Sequence, residues 1–187
     1  DLVIGTYSGN VKIFENIGNK YDFEFSYHST IETDSNFWFS VPGLHDIDLD
    51  GDLDLVLGNI YGDLRVYKQE NSFSFSLDVN QIQDISVGYY SAPYFIDIDL
   101  DDDSDLILGG RDTHKVFLNN NNFFEETNEI EIPYSGKNVK FSGGNLFNSN
   151  HFNIISGVST GGLYLLSEKL CEQGDLNQDE IINILDM

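Results

Sequence analysis

Asp46-Ile47-Asp48-Leu49-Asp50-Gly51-Asp52-Leu53-Asp54-Leu55-Val56-Leu57-Gly58 is the stretch on which the fold turns. Its first nine residues carry Asp at positions 1, 3, 5, 7 and 9. Its last five are a short apolar run that opens on Asp54 and closes on glycine. The same two-part stretch returns from Asp97 to Gly109, with Asp97, Asp99, Asp101, Asp103 and Asp105 at the odd positions. The apolar half alone appears as Asp1-Leu2-Val3-Ile4-Gly5 and, more weakly, as Asn153-Ile154-Ile155-Ser156-Gly157. Asp1, Asp54, Asp105 and Asn153 are spaced by 53, 51 and 48 residues. Self-similarity at such a period marks a repeat architecture.

Each apolar run is followed by a turn-like stretch: Ser8-Gly9-Asn10, Tyr61-Gly62-Asp63, Asp112-Thr113-His114 and Thr160-Gly161-Gly162. A second apolar segment follows each turn: Val11 to Phe14, Leu64 to Tyr67, Lys115 to Leu118 and Leu163 to Leu166. This is strand, turn, strand, with Gly or Asn supplying the backbone a tight hairpin needs. The second repeat reads as four strands, near Pro42 to Ile47, Leu53 to Gly58, Leu64 to Lys68 and Phe73 to Leu77. No segment before residue 176 shows helical periodicity. A four-stranded unit of about 50 residues, repeated, fits a β-propeller blade. The expected fold is all-β: about three and a half blades over 1–168, with repeats near 1–40, 41–90, 91–137 and 138–168. The first repeat is expected to lack its leading strand and the fourth its outer strand, as in a fragment of a longer protein.

Five carboxylates within nine residues repel one another unless a cation compensates. Calcium takes six to eight oxygen ligands, which a curled loop can wrap around it. Side-chain ligation is assigned to Asp46, Asp48, Asp50 and Asp54, and to Asp97, Asp99, Asp101 and Asp105. Asp52 and Asp103 are assigned backbone carbonyl ligation. Gly51 permits the sharp turn; Asp102 replaces it in the second loop, which is therefore expected to bind more weakly. The fourth repeat carries Asn145, Phe147, Ser149, His151 and Asn153 at these places, with no carboxylate, and no calcium is expected there.

Asp-x-Asp-x-Asp-Gly-x-x-Asp followed by Leu-Val-Leu-Gly resembles the FG-GAP/VCBS repeats, whose fold is a β-propeller like that of integrin α-subunit heads. The resemblance covers roughly residues 1–166. It implies calcium in the hairpin between the first two strands of a blade. It also implies secreted or cell-surface work: adhesion, protein or carbohydrate recognition, or a scaffold beside a catalytic domain.

Residues 169–187 read as a linker and a different loop. Oxygen-bearing residues in Asp175-Leu176-Asn177-Gln178-Asp179-Glu180-Ile181-Ile182-Asn183-Ile184-Leu185-Asp186 fall at the spacing of an EF-hand loop. The segment resembles the first calcium loop of a type I dockerin, truncated before its second loop. By that match Asp175, Asn177, Asp179, Asn183 and Asp186 ligate calcium with the Ile181 carbonyl, and a cohesin-like or sorting partner is implied. Glu180 stands where glycine is expected.

Formal net charge is -23, from 32 acids against 9 bases. Such a surface repels nucleic-acid phosphates and anionic lipids. Cys171 is the sole cysteine, so no intrachain disulfide forms. Gly157-Val158-Ser159-Thr160-Gly161 fits the G-x-S-x-G pattern but falls on the repeat's own hairpin, whereas a nucleophile elbow needs a strand-to-helix turn. No catalytic site is expected, and the ligand is unknown. The aromatics Phe37, Trp38, Phe39, Tyr89, Tyr90 and Tyr94 are expected to pack between blades, with sugar or protein contact as the alternative.

Overall fold

The computed structural model of the chain describes residues 1–78, 82, 85–99, 101, 103–121, 123–128, 130, 132, 136–144, 153–167 and 182–183. Among them every regular element is a strand, and all reported pairings are antiparallel. The chain divides into two compact units, Asp1–Pro93 and Tyr94–Met187.

In the first unit, β1 (Leu2–Gly5), β2 (Val11–Asn16) and β3 (Phe25–Ile31) form a three-stranded sheet. A four-stranded sheet follows, ordered β4 (Val41–His45), β5 (Asp54–Gly58), β6 (Leu64–Asn71) and β7 (Ser74–Asp78). The expected four strands of the second repeat are all present. Among the described residues the first sheet holds the three strands β1-β2-β3.

In the second unit, β8 (Ala92–Ile96), β9 (Asp105–Gly109), β10 (His114–Asn120) and β11 (Phe123–Thr127) repeat that order. The last sheet holds β12 (Lys140–Gly144), β13 (Asn153–Gly157), β14 (Leu163–Ser167) and β15 (Ile182–Asn183). This corrects the expectation that the fourth repeat lacks an outer strand. The edge of β14 presents unpaired backbone groups that template another strand. Ile182 and Asn183 pair there with Leu165 and Tyr164. These two residues come from the segment read as an EF-hand-like loop.

Strand β5 is buried along its whole length, and so is β9. Alternating side chains point to opposite faces, so each of these strands is covered on both sides. In the first unit Leu55 and Leu57 pack with Val11, Phe37 and Tyr67, joining the two sheets. In the second unit Ile107 packs with Val116, Ile132 and Ile154. A sheet with two apolar faces cannot stand alone, and stacking a neighbour on it is how a repeat array is held together.

The glycine closing each apolar run has a steric reason. A Cβ on Gly5 would sit 1.9 Å from the Ser40 carbonyl oxygen, and one on Gly58 would sit 2.1 Å from that of Ser91. Here the chain entering the next sheet crosses the strand end at backbone contact. The crossing segment is fixed by the same hydrogen bonds each time. Phe39 and Ser40 donate from their amides to Tyr7 and Thr6; Tyr90 and Ser91 donate to Ile60 and Asn59. In the second unit Asn138 and Val139 donate to Arg111 and Gly110. Phe39, Tyr90 and Asn138 all adopt positive φ, 57°, 59° and 53°.

Ser91 is fully buried, and its hydroxyl completes the joint. It accepts from the Asn59 amide at 2.7 Å and donates to the Asp63 carbonyl at 2.7 Å. Replacing it with alanine leaves both groups unpaired, which costs about 1–3 kcal/mol. Ser91→Ala is expected to lower the urea midpoint accordingly, and Leu57→Ala to cost about 2–5 kcal/mol through the cavity it opens. Equilibrium denaturation checks both; a Leu57→Ala midpoint equal to wild type would remove the inter-sheet core from the account.

Candidate metal centres

The first acidic loop connects β4 to β5. Ile47, 1% exposed, is driven inward, which leaves the flanking carboxylates on the outer side of the curl. Two left-handed residues, Leu49 at φ 61° and Gly51 at φ 95°, bend the chain. Leu49 meets this geometry at a cost of roughly 1–2 kcal/mol.

Carboxylates close the loop. Asp46 accepts from the Asp50 amide at 3.1 Å and the Gly51 amide at 2.9 Å. Asp50 accepts from the Asp52 amide at 2.9 Å. Asp54, 1% exposed, binds differently. Its Oδ2 accepts from the Ile47 amide at 3.0 Å, and its Oδ1 accepts from the Gln69 amide on β6 at 2.9 Å. One side chain thus ties the start of the loop, its end and the neighbouring strand.

The second loop, between β8 and β9, repeats this scheme. Asp105 Oδ2 accepts from Ile98 at 2.9 Å and Oδ1 from Asn119 on β10 at 2.8 Å. Asp97 accepts from the Asp101 amide at 3.2 Å, and Asp101 from the Asp103 amide at 2.9 Å. Asn119 also donates its side-chain amide to the Ser104 carbonyl.

Oxygens of Asp46, Asp48 and Asp50 lie within 4.8 Å of one another, and so do those of Asp97, Asp99 and Asp105. Two oxygens on opposite sides of a hard cation, each about 2.4 Å from it, stand at about that separation. Asp48 Oδ1 is buried and accepts no hydrogen bond. The donor set is all oxygen, which suits a hard cation and disfavours a soft one. Both clusters can therefore hold a metal ion. Asp52 and Asp54 stand outside the first tight cluster, and Asp101 and Asp103 outside the second.

Of the third expected loop, Asp175, Asn177, Asp179, Ile181 and Asp186 lie outside the described residues. The Asn183 backbone is in β15. In the fourth repeat Asn145, Phe147, Ser149 and His151 are likewise outside them, while Asn153, buried, opens β13 as Asp54 opens β5. Ser159 lies in the β13–β14 turn and donates its hydroxyl to the Lys137 carbonyl at 3.0 Å.

Three participants escaped the sequence reading. Lys68 on β6 places its ammonium 3.1 Å from Asp48 Oδ2 and 3.3 Å from Asp78 Oδ2. Those carboxylates hold the lysine above its ordinary pKa. Ser40 and Ser91 each stand two residues before a proline, Pro42 and Pro93, and the 51-residue spacing of those prolines was the signal available for them.

Sheets of antiparallel strands, two of them with a carboxylate-rich loop before the strand buried on both faces, define a repeat protein with cation-competent hairpins. Residues 46–108 match the family model described as FG-GAP-like repeat, and the match supports an FG-GAP repeat protein. The matched stretch holds both acidic loops. No curated protein and no solved structure matches the chain.

Burial raises the pKa of Asp54 and of Asp105 above the ordinary carboxylate value. The two backbone donors on each partly offset this, and the nearby loop carboxylates push it up again. A raised folded-state pKa favours the fold in acid, and that contribution fades as pH climbs through the folded value. Chelator-treated protein is therefore expected to lose this contribution as pH climbs above the ordinary carboxylate value, and so to melt higher near pH 4 than at pH 7. A divalent ion, which favours the ionised carboxylates, should narrow that gap. Melting curves at both pH values with and without calcium measure it; a higher midpoint at pH 7 in chelator would contradict the assignment.

Proposed function

We propose that the chain is a non-catalytic, calcium-binding module of a secreted or cell-surface protein, built from β-propeller blades and serving adhesion or recognition as a scaffold. The observation that carries this reading is the loop built twice on one plan. In each, an aspartate with both oxygens on backbone amides stands at the base of a cluster of carboxylates whose oxygens fit one hard cation; Asp54 lies beside its cluster and Asp105 belongs to its own. Calcium is preferred over magnesium because magnesium keeps several waters and uses few protein ligands. Its role is structural: it offsets carboxylate repulsion and stiffens the hairpin beside the strand that fills the core.

A second reading comes from the tail and the exposed rings. The spacing of Asp175, Asn177, Asp179, Asn183 and Asp186 supports a dockerin-like segment for a cohesin-like partner, and hence an accessory module of a carbohydrate-active enzyme. Tyr7, 64% exposed, meets Trp38 and Phe39 edge-on at 5.4 and 4.5 Å, an aromatic surface suited to a sugar face. Glycan-array binding lost in Trp38→Ala would favour it over protein adhesion.

Calorimetric titration of chelator-stripped protein is expected to show two calcium sites with dissociation constants of about 10⁻⁴–10⁻³ M. Calcium at a hundredfold excess over the dissociation constant should then add about 2.7 kcal/mol per site. Asp48→Ala and Asp99→Ala should each remove one site. Absence of heat, with an unchanged melting midpoint, would defeat the calcium reading.

A further inference from the structure

We propose that Lys68 is a tethered counter-cation that competes with the divalent ion for the first acidic loop, so that the second loop fills first. The inference rests on the calcium reading above and concerns how the two loops share the ion.

The two loops match in backbone plan and differ in what faces them. Leu55 pairs with Tyr67 on β6, and Leu106 pairs with Phe117 on β10. The Gln69 and Asn119 amides make the same bond to Asp54 and Asp105. Lys68 therefore corresponds to Leu118. Val66 lies opposite Asp78, and Val116 lies opposite Thr127, so Asp78 corresponds to Thr127. Ammonium and second carboxylate are both replaced by uncharged side chains in the third repeat. The lysine that β10 does carry, Lys115, pairs with Glu126 at 2.9 Å.

In the first loop the ammonium is held between two strands. Asp78, at the end of β7, fixes it on one side, and Asp48 receives it on the other. Its side chain is 30% exposed and that of Asp48 is 23% exposed, so solvent screens the pair only in part. Asp48 belongs to the tight oxygen cluster. A positive charge bonded to one of its oxygens lowers the negative potential that draws a cation and repels a divalent ion that arrives. It also relieves carboxylate repulsion in the ion-free loop. Both effects weaken calcium binding at this loop, and the coupling is reciprocal: calcium should loosen the lysine. The sequence alone points to the opposite order, because the second loop lacks Gly51.

Calcium titration by calorimetry on the chelator-stripped full chain tests this. Asp99→Ala isolates the first loop and Asp48→Ala the second. The second loop is expected to bind more tightly. Lys68→Leu, the residue found at the matching place in β10, should tighten the first loop by roughly 1.5- to fivefold. It should also lower the melting midpoint in chelator. Leu118→Lys should weaken the second loop by a similar factor, and it decides the matter if Lys68→Leu fails to fold. First-loop affinity unchanged or weakened in a folded Lys68→Leu protein, or second-loop affinity unchanged in Leu118→Lys, overturns the proposal while leaving calcium binding intact. No heat at either loop overturns the calcium reading and this inference with it.

Discussion

A buried carboxylate bonded to two backbone amides holds each acidic hairpin in shape. Asp54 spends one oxygen on the Ile47 amide and the other on the Gln69 amide. Removing a carboxylate from water is expensive, and two charge-assisted bonds from fixed backbone donors offset much of that cost. The strand that begins at Asp54 is the one buried on both faces. Loop, central strand and third strand are therefore registered by one side chain, and Asp105 repeats the arrangement. Asp46, Asp48 and Asp50 gather where they do because the loop base cannot spread.

Much of this was legible in the residues. Alternating aspartates, a glycine at the bend and an apolar run of strand length specify a hairpin, and the period of about 50 residues specifies a repeat. The division of labour among the aspartates was not legible. Position 9 reads as one more ligand in both loops, yet Asp54 stands outside the first cluster while Asp105 belongs to the second, and both are buried with their oxygens on backbone amides, because only the three-dimensional loop brings Gln69 and Asn119 alongside. The contact of Lys68 with Asp48 was hidden for the same reason. A turn one residue shorter in the third repeat also shifts the correspondence. Lys115 to Leu118 looks equivalent to Leu64 to Tyr67, but the ladder begins at His114. Period-based alignment cannot see a deletion inside a turn until the pairing fixes it.

The tail illustrates a different limit. Oxygen spacing in residues 175–186 speaks for a loop, while the exposed edge of β14 offers Ile182 and Asn183 a strand partner. Local pattern and tertiary opportunity compete, and two residues of backbone pairing follow the edge.

The crossings at Gly5, Gly58 and Gly109 carry a consequence for how such arrays change over time. The joint is written almost wholly in peptide groups: amide to carbonyl bonds, a backbone contact that excludes any Cβ, and one left-handed residue. Phe39, Tyr90 and Asn138 share that conformation without sharing chemistry, and Val139 occupies the place of Ser40 and Ser91. Side chains at the seam differ from joint to joint while its backbone bonds persist, although the Ser40 and Ser91 hydroxyls add to two of the three. The joint therefore tolerates unlike copies, such as the fourth, which carries Asn153 where the second and third carry Asp54 and Asp105, and the reader of any single copy will underestimate how much architecture survives.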